Sequence, residues 1–289
     1  MPKKPRASQW SQLCASVQVD DGLPTRDSGA WARDKLWYWN RYLEITTQAM
    51  VGSKWPAGVI YVDLFTGPGV CTIRGTGERI PGSPLIAANT PKPFKQILLC
   101  ELNDRLAAAC EERLATRLSS DRYQVFRGNC NSLIADICRF IPAGALTLAF
   151  LDPTGLQLGF ETVRTLAACG AVDLLILFPD AVDILRNHQH VYFDQPESSL
   201  DRVLGPGSQW RERKANLGST EGPALRSLFS AIYREQLRQH AGYSYFADEV
   251  IRGPAGPLYR LVYATKHPRG IDFWNKSVQK ELGGQRRLF

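Results

Sequence analysis

Short apolar runs alternate with amphipathic stretches through the middle of the chain. The first run, Val59–Leu64, contains β-branched, aromatic and aliphatic residues and is typical of a strand buried on both faces of a parallel sheet. Segments with helical periodicity lie between this run and the later apolar runs. The predicted strands are Val59–Leu64, Gln96–Leu102, Tyr123–Arg127, Ala145–Leu151 and Val172–Phe178. The predicted helices are Ala30–Met50, a short one from Ser83, Asp104–Leu118 and Phe160–Cys169. This order predicts an α/β fold with helices on both faces of the sheet.

The pattern changes on both sides of this region. Ser8–Gly29 is polar, contains several helix breakers and is predicted to be an extended arm. After Asp180 we predict a short helix, Ala181–Asn187, a polar segment, a helix, Pro223–His240, an antiparallel hairpin, Tyr243–Ile251 with Leu258–Thr265, and a last helix, Phe273–Leu282. We therefore expect residues 1–55 to be an arm and an aromatic helix packed on a core domain of residues 56–289, with an insertion at about 187–222.

Composition narrows the class of protein. The 289 residues are 44% hydrophobic, which is enough for one substantial core. No apolar stretch approaches the roughly 18 residues of a membrane span, and no secretion signal is visible, so we expect a cytoplasmic protein without a membrane partner. The seven cysteines form no CxxC pair and are expected to be reduced, buried thiols. His188 and His190 lack a further ligand at metal-binding spacing, so no metal is predicted.

A sharp turn, Gly67-Pro68-Gly69, follows the first predicted strand. Its glycines allow a ligand to approach the main chain, and the proline stiffens the turn. Ligands of open α/β sheets bind beyond the carboxyl ends of the strands, where this turn lies. A dinucleotide fingerprint needs a third glycine, but Thr72 occupies that position. The turn is therefore predicted to be the floor of a cofactor site of another type.

An acidic residue lies within one position of the end of three predicted strands: Asp63, Glu101 and Asp152. These carboxylates would repel a pyrophosphate, whereas S-adenosylmethionine carries an ammonium, a sulfonium and no phosphate. The sequence thus favours S-adenosylmethionine, with Glu101 accepting hydrogen bonds from the ribose and Asn129 near the adenine edge. The residues predicted to bind this cofactor are Asp63, Phe65, Gly67, Pro68, Gly69, Glu101, Leu102, Asn129, Cys130, Asp152 and Pro153.

Two residues are candidates for catalysis. Asp152 precedes Pro153, which disfavours a helical conformation before it, so the carboxylate is expected to project into the crevice and to orient or deprotonate a nucleophile. Lys35 is expected to reach inward from the aromatic helix. The residues predicted to bind the substrate are Arg74, Arg79, Ser83, Thr154, Lys266 and His267. The first two belong to Val70–Pro81, which we predict to be a mobile basic loop.

A formal net charge of +7 is compatible with an acidic partner such as nucleic acid, although a solvated basic face is the alternative. The densest basic groups are Lys3/Lys4/Arg6, Arg211/Arg213/Lys214 and Arg286/Arg287. Neither the oligomeric state nor the methyl acceptor is indicated by the sequence.

The order and spacing of several short motifs carry a family resemblance. These motifs are Trp31-Ala32-x-x-Lys35-Leu36, Tyr61-Val62-Asp63-Leu64-Phe65-x-Gly67-x-Gly69, Gly82-Ser83-Pro84, Glu101, Leu151-Asp152-Pro153-x-Gly155 and Tyr263-Ala264-Thr265-Lys266-His267. Together they resemble the class I S-adenosylmethionine-dependent methyltransferase fold and, more closely, the three-Cys-motif partner protein (TcmP) family.

This resemblance implies a Rossmann-like, doubly wound, seven-stranded sheet whose last two strands form the hairpin. It also implies a cofactor cleft at Asp63–Gly69, Glu101 and Asn129, and a separate three-Cys-motif protein with radical-enzyme character as a partner. Thr154 and Gly155 stand where amino-methylating enzymes carry a proline and an aromatic residue, which argues against methylation of adenine or cytosine amino groups.

Four functions stay open at this point. The first is a methyltransferase that acts on nucleic acid or on a macromolecule presented by a partner. The second is a non-catalytic S-adenosylmethionine-binding partner subunit of a cysteine-motif radical-type protein. The third is a metal-dependent nuclease or phosphatase that uses the carboxylates, and the fourth is a nicotinamide-dependent enzyme.

Overall fold

The computed structural model describes residues 8–219 and 221–279. Its strands are β1 (Arg26–Ser28), β2 (Val59–Asp63), β3 (Val70–Ile73), β4 (Arg79–Pro81), β5 (Gln96–Glu101), β6 (Tyr123–Arg127), β7 (Leu146–Leu151), β8 (Ala171–Phe178), β9 (Tyr245–Gly253) and β10 (Gly256–Thr265). Its helices are α1 (Gln9–Ser16), α2 (Ala32–Met50), α3 (Ser83–Ala88), α4 (Asp104–Ala115), α5 (Cys130–Cys138), α6 (Phe160–Ala167), α7 (Leu185–Asn187), α8 (Ser199–Leu204), α9 (Trp210–Ala215), α10 (Gly222–Ala241) and α11 (Pro268–Val278).

Seven strands form the central sheet, in the order β6-β5-β2-β7-β8-β10-β9. The first five are parallel to one another, while β10 runs antiparallel to both β8 and β9. The predicted α/β architecture is confirmed: the sheet is Rossmann-like and doubly wound, and it is parallel except for its C-terminal antiparallel hairpin. The carboxyl ends of β2, β5 and β7 therefore meet at one edge, as ligand sites in such sheets require.

Hydrophobic cores cover both faces of this sheet. Alternate residues of β2 point to opposite sides, so Ile60 and Val62 pack in one core, and Val59 and Tyr61 pack in the other. The first core includes residues of α5, α6, α8 and α10, and the second includes residues of α1, α2, α4 and α11. All five residues of β2 are buried, which explains why the sequence has a continuous apolar run there.

The prediction of an extended N-terminal arm was wrong for much of its length. Trp10 and Leu13 are buried on one side of α1, because residues three apart share a helix face, and Val17 is buried directly after the helix ends. Ser8 accepts a hydrogen bond from the Ser11 amide and caps this helix. The arm ends in β1, which pairs in parallel with β3.

The prediction of a mobile basic loop at Val70–Pro81 was also wrong. The segment forms the antiparallel pair β3 and β4, which makes a small three-stranded sheet with β1. Val70, Ile73 and Ile80 are buried in the second core, and this burial fixes the hairpin despite its polar tip.

Besides α1, three further described helices lie where none was predicted. Helix α5 follows β6 directly, and α8 and α9 fold part of the segment that we expected to be polar. Helix α11 begins at Pro268, before the predicted start at Phe273. Residues 280–282 of that prediction, and the basic groups Lys3/Lys4/Arg6 and Arg286/Arg287, lie outside the described residues. Within the described part of the chain, no helix has the length and apolar character that crossing a membrane requires.

Candidate functional site

The turn after β2 contains two glycines in the left-handed region, Gly67 with φ +62° and Gly69 with φ +88°. A Cβ added to Gly67 would lie 3.6 Å from Nη1 of Arg26, on the open side of the turn. A Cβ on Gly69 would instead lie 3.5–3.6 Å from side-chain carbons of Arg113 and Leu85, in the protein interior. Gly67 is thus the position at which a missing side chain leaves room for a ligand.

Glu101, the last residue of β5, lies beside this turn. One carboxylate oxygen accepts a hydrogen bond from the amide of Gly67 at 2.8 Å, and the other accepts one from the amide of Asn103 at 3.0 Å. The side chain lines a cavity of about 190 Å³, here called the Glu101 cavity, together with Leu64, Phe65, Leu102, Asn129 and Cys130 among others. A carboxylate held in this way can accept further hydrogen bonds from hydroxyl groups of a ligand.

A second cavity, of about 180 Å³, lies next to the first and is called the Lys35 cavity. Lys35 extends from α2, and its Nζ forms an ion pair with Asp152 at the end of β7. The ammonium also lies over the rings of Trp31 and Phe150, 4.9 and 5.9 Å from their centroids. Lys35 is buried and Asp152 is half-buried, so the pair is largely shielded from water.

Both cavities are lined by Arg26, Phe65 and Thr154, so they adjoin and form one cleft along the carboxyl edge of the sheet. The Glu101 cavity offers a fixed carboxylate, and the Lys35 cavity offers a carboxylate paired with an ammonium. The cleft can therefore hold two ligand groups side by side, and the one in the Lys35 cavity would lie near Asp152, a potential proton acceptor.

Asp63 does not line either cavity, although the sequence predicted that it binds the cofactor. Its side chain is buried below the turn, where it accepts hydrogen bonds from Tyr61 Oη at 3.2 Å and from the amide of Phe65 at 3.1 Å. This burial raises the pKa of Asp63 to about 7. The residue supports the turn from inside and does not face the cleft.

Arg113 of α4 connects the turn to the N-terminal arm. Its guanidinium donates to the Pro68 carbonyl at 2.6 Å, to the Pro24 carbonyl at 2.9 Å and to both carboxylate oxygens of Asp21 at 2.7 and 2.8 Å. The guanidinium holds the pKa of Asp21 well below its usual range. We call this group the Arg113 clasp, and it holds the arm against the turn just before β1.

Most of the predicted site residues meet in the cleft. Those that line it are Lys35, Phe65, Gly67, Pro68, Gly69, Arg74, Ser83, Glu101, Leu102, Asn129, Cys130, Asp152, Pro153 and Thr154. Arg79 lies elsewhere, because its guanidinium pairs with Asp20 and Asp21 and donates to the Val17 carbonyl.

Lys266 and His267 lie at the opposite edge of the sheet. They follow β10, which runs antiparallel, so its end lies next to the start of β8. Lys266 donates to the carbonyls of Ala167 and Gly170 at 2.6 and 2.9 Å, and His267 accepts from the amide of Arg269 at the start of α11. We therefore no longer assign these two residues to substrate binding.

Sequence reasoning missed Arg26 and Tyr259, which also line the Lys35 cavity. The ring of Tyr259 packs on Trp31 at 4.8 Å between centroids. Arg26 lies in a polar segment that gave no hydrophobic pattern, and Tyr259 is an ordinary residue of a predicted strand, so no sequence signal marked either of them. Among the described residues, His, Cys, Asp and Glu form no group of three that could hold a metal ion.

No protein-family model matches the chain, and no curated protein matches it. Solved structures do resemble it. An O-methyltransferase from Bacillus cereus in complex with SAH has 11% identity and a TM-score of 0.46, with 92% of this chain and 94% of that chain covered. The O-methyltransferase TomG from Streptomyces achromogenes, in complex with SAM, has 10% identity and a TM-score of 0.43, covering 90% and 100%. Cofactor-bound Rv0187 from MTB has 10% identity and a TM-score of 0.46, covering 92% and 93%. These values describe similarity of shape and do not assign a ligand or a reaction to this chain.

Proposed function

We propose that the protein is an S-adenosylmethionine-dependent methyltransferase. The observation that carries this proposal is the pair of adjoining cavities at the carboxyl edge of the sheet, one with the fixed carboxylate of Glu101 and one with the Lys35–Asp152 ion pair. In this proposal the adenosine of the cofactor occupies the Glu101 cavity and the methyl acceptor enters the Lys35 cavity.

The donor and acceptor groups of the cleft fit this cofactor. Glu101 can accept hydrogen bonds from the two ribose hydroxyls, and the absent side chain of Gly67 leaves room at the turn. A dinucleotide fits less well, because its pyrophosphate normally lies at the start of a helix that directly follows such a turn. Here the turn leads into β3, and α3 begins only after the hairpin.

In this proposal, Asp152 and Lys35 act on the methyl acceptor. When bound, the cofactor supplies an electrophilic methyl group on its sulfonium. Asp152 is suited to accept the proton of the attacking group, and Lys35 holds this carboxylate in place. As Asp152 takes up this proton, the ammonium of Lys35 is no longer neutralised and can stabilise an acceptor oxygen that develops negative charge, such as that of a hydroxyl.

Calorimetric titration with S-adenosylhomocysteine and with NAD tests the assignment. We expect binding of the first and none of the second, and equal affinity for both would overturn the proposal. Gly67→Ala should weaken S-adenosylhomocysteine binding, since the new Cβ enters the cleft. Gly77→Ala is the matched control, because Gly77 also has a positive φ, +69°, but a Cβ there meets no atom within 4 Å.

The finer expectations remain predictions: membership of the TcmP family, a three-Cys-motif protein as partner, and an acceptor that is nucleic acid or is presented by that partner. The basic charge of the chain supports an acidic acceptor. Nucleic acid binding that weakens steeply with salt would support that acceptor, and no association with DNA or RNA would favour a different one.

A further inference from the structure

We propose that Arg26 binds the carboxylate of the methionine moiety of S-adenosylmethionine. This inference rests on the proposed function and concerns a residue that no sequence motif singled out. It assigns the one anionic group of the cofactor to Arg26, which is the only arginine among the described residues that lines both cavities of the cleft.

Among the described residues, the guanidinium of Arg26 has no carboxylate within ion-pair distance and makes no side-chain hydrogen bond. Arg74 also lines the Lys35 cavity without an acidic partner, but it is exposed and does not reach the Glu101 cavity. By contrast, Arg33 pairs with Glu78, Arg79 pairs with Asp20 and Asp21, and Arg113 pairs with Asp21. A half-buried arginine that is left unpaired beside three paired ones is available for a ligand anion.

Arg26 is also held where the two cavities meet. Its backbone pairs with Cys71 in the small sheet, and the Arg113 clasp fixes the chain two residues before it, at Pro24. Its Nη1 lies 3.6 Å from the position that a Cβ of Gly67 would take, so the guanidinium lies across the open side of the glycine turn. The side chain is therefore positioned before any ligand arrives.

The charges of the other cleft residues favour Arg26 as the residue that binds the methionine carboxylate. The cofactor's adenosine would lie near Glu101, whose carboxylate would repel a second carboxylate. Lys35 and Asp152 form an ion pair without net charge, so this pair does not neutralise the methionine carboxylate. A guanidinium presents two parallel N–H groups that match a carboxylate, so Arg26 can neutralise the methionine carboxylate and orient it.

Two ligands separate this role from a general effect on the site. S-adenosylhomocysteine carries the amino-acid moiety, whereas 5′-methylthioadenosine retains the nucleoside and the sulfur but lacks it. Arg26→Met should lower the affinity for S-adenosylhomocysteine by about 10- to 100-fold and leave that for 5′-methylthioadenosine unchanged. Arg26→Lys, which retains a charge but not the paired donors, should lie between wild type and Arg26→Met.

Arg33→Met is the matched control, because Arg33 is paired with Glu78 and lines neither cavity, so both affinities should stay at the wild-type level. The melting temperature of each variant shows whether the fold is intact. Equal loss of both ligands, or loss of neither, in folded Arg26→Met would overturn this inference while leaving the proposed function in place. If the wild-type protein binds neither ligand, the proposed function fails and this inference fails with it.

Discussion

Asp152 is the residue whose role separates an enzyme from a binding subunit. It lies at the exit of β7, and its carboxylate is held by Lys35 inside the Lys35 cavity. We expect Asp152→Asn to lower methyl transfer by about two to four powers of ten, because the amide cannot accept a proton. The affinity for S-adenosylhomocysteine should change little, since Glu101 and Gly67 remain intact. The measurements are calorimetry and transfer of a labelled methyl group to an identified acceptor.

Asp27→Asn provides the comparison for this variant. Asp27 is also a carboxylate that lines the Lys35 cavity, but it is exposed and makes no ion pair with Lys35. It should retain nearly full activity. If folded Asp152→Asn turns over at the wild-type rate, Asp152 has no part in the reaction. If Asp152→Asn melts at a lower temperature, and the fraction of unfolded protein accounts for all the activity that is lost, the ion pair is structural.

At the scale of secondary-structure elements, the Arg113 clasp joins three parts of the chain: α4, the glycine turn and the arm that leads to β1. Asp21→Ala should therefore release the arm and lower the free energy of unfolding by about 1–3 kcal/mol, because the buried guanidinium of Arg113 loses its charged acceptor. Hydrogen exchange should increase in β1, and the affinity for S-adenosylhomocysteine should fall because Arg26 loses its support.

The adjacent Asp20→Ala is a matched control for the clasp. Asp20 is exposed and pairs with Arg79 but not with Arg113, so its loss should change the free energy of unfolding by less than about 1 kcal/mol. Equal exchange rates for β1 in the two variants would contradict the clasp as the element that holds the arm.

The sequence predicted those elements whose pattern is continuous. The buried strands of the parallel sheet read as unbroken apolar runs, and their order determined the fold class. The hairpin β3–β4 was read as a loop because Arg74, Gly75 and Gly77 interrupt its short apolar pattern, and only burial against the second core reveals it.

The position of a candidate site residue could be predicted where the sequence indicated the direction of its strand. Residues at the ends of parallel strands, such as Glu101 and Asp152, were found because such ends share one edge. Lys266 and His267 were misplaced because a strand's direction decides which edge its end reaches. Nor could the sequence alone pair Lys35 with Asp152, which is 117 positions away, since that contact depends on how α2 packs over the sheet.

For the molecule as a whole, buried carboxylates make the stability of the fold depend on pH. Burial raises the pKa of Asp63 from 3.8 to about 7, and it also raises the pKa values of Asp173 and Asp180. Between pH 3.8 and about 7, the folded chain binds more protons at Asp63 than the unfolded chain does. The contribution of Asp63 to stability is therefore fully present below about pH 4 and is lost as the pH rises through about 7.

Asp63→Asn should remove that part of the pH dependence. The amide oxygen can still accept the hydrogen bond from the amide of Phe65, but the side chain no longer ionises. Urea unfolding from pH 4.5 to 7.5 should show the wild-type free energy falling relative to that of the variant by up to about 1.4 kcal/mol for each pH unit. Asp173 and Asp180 titrate in both proteins, so their effects cancel in the difference. Parallel pH profiles would mean that Asp63 is already ionised in the folded protein across this range, and that its hydrogen bonds to Tyr61 and Phe65 outweigh its burial.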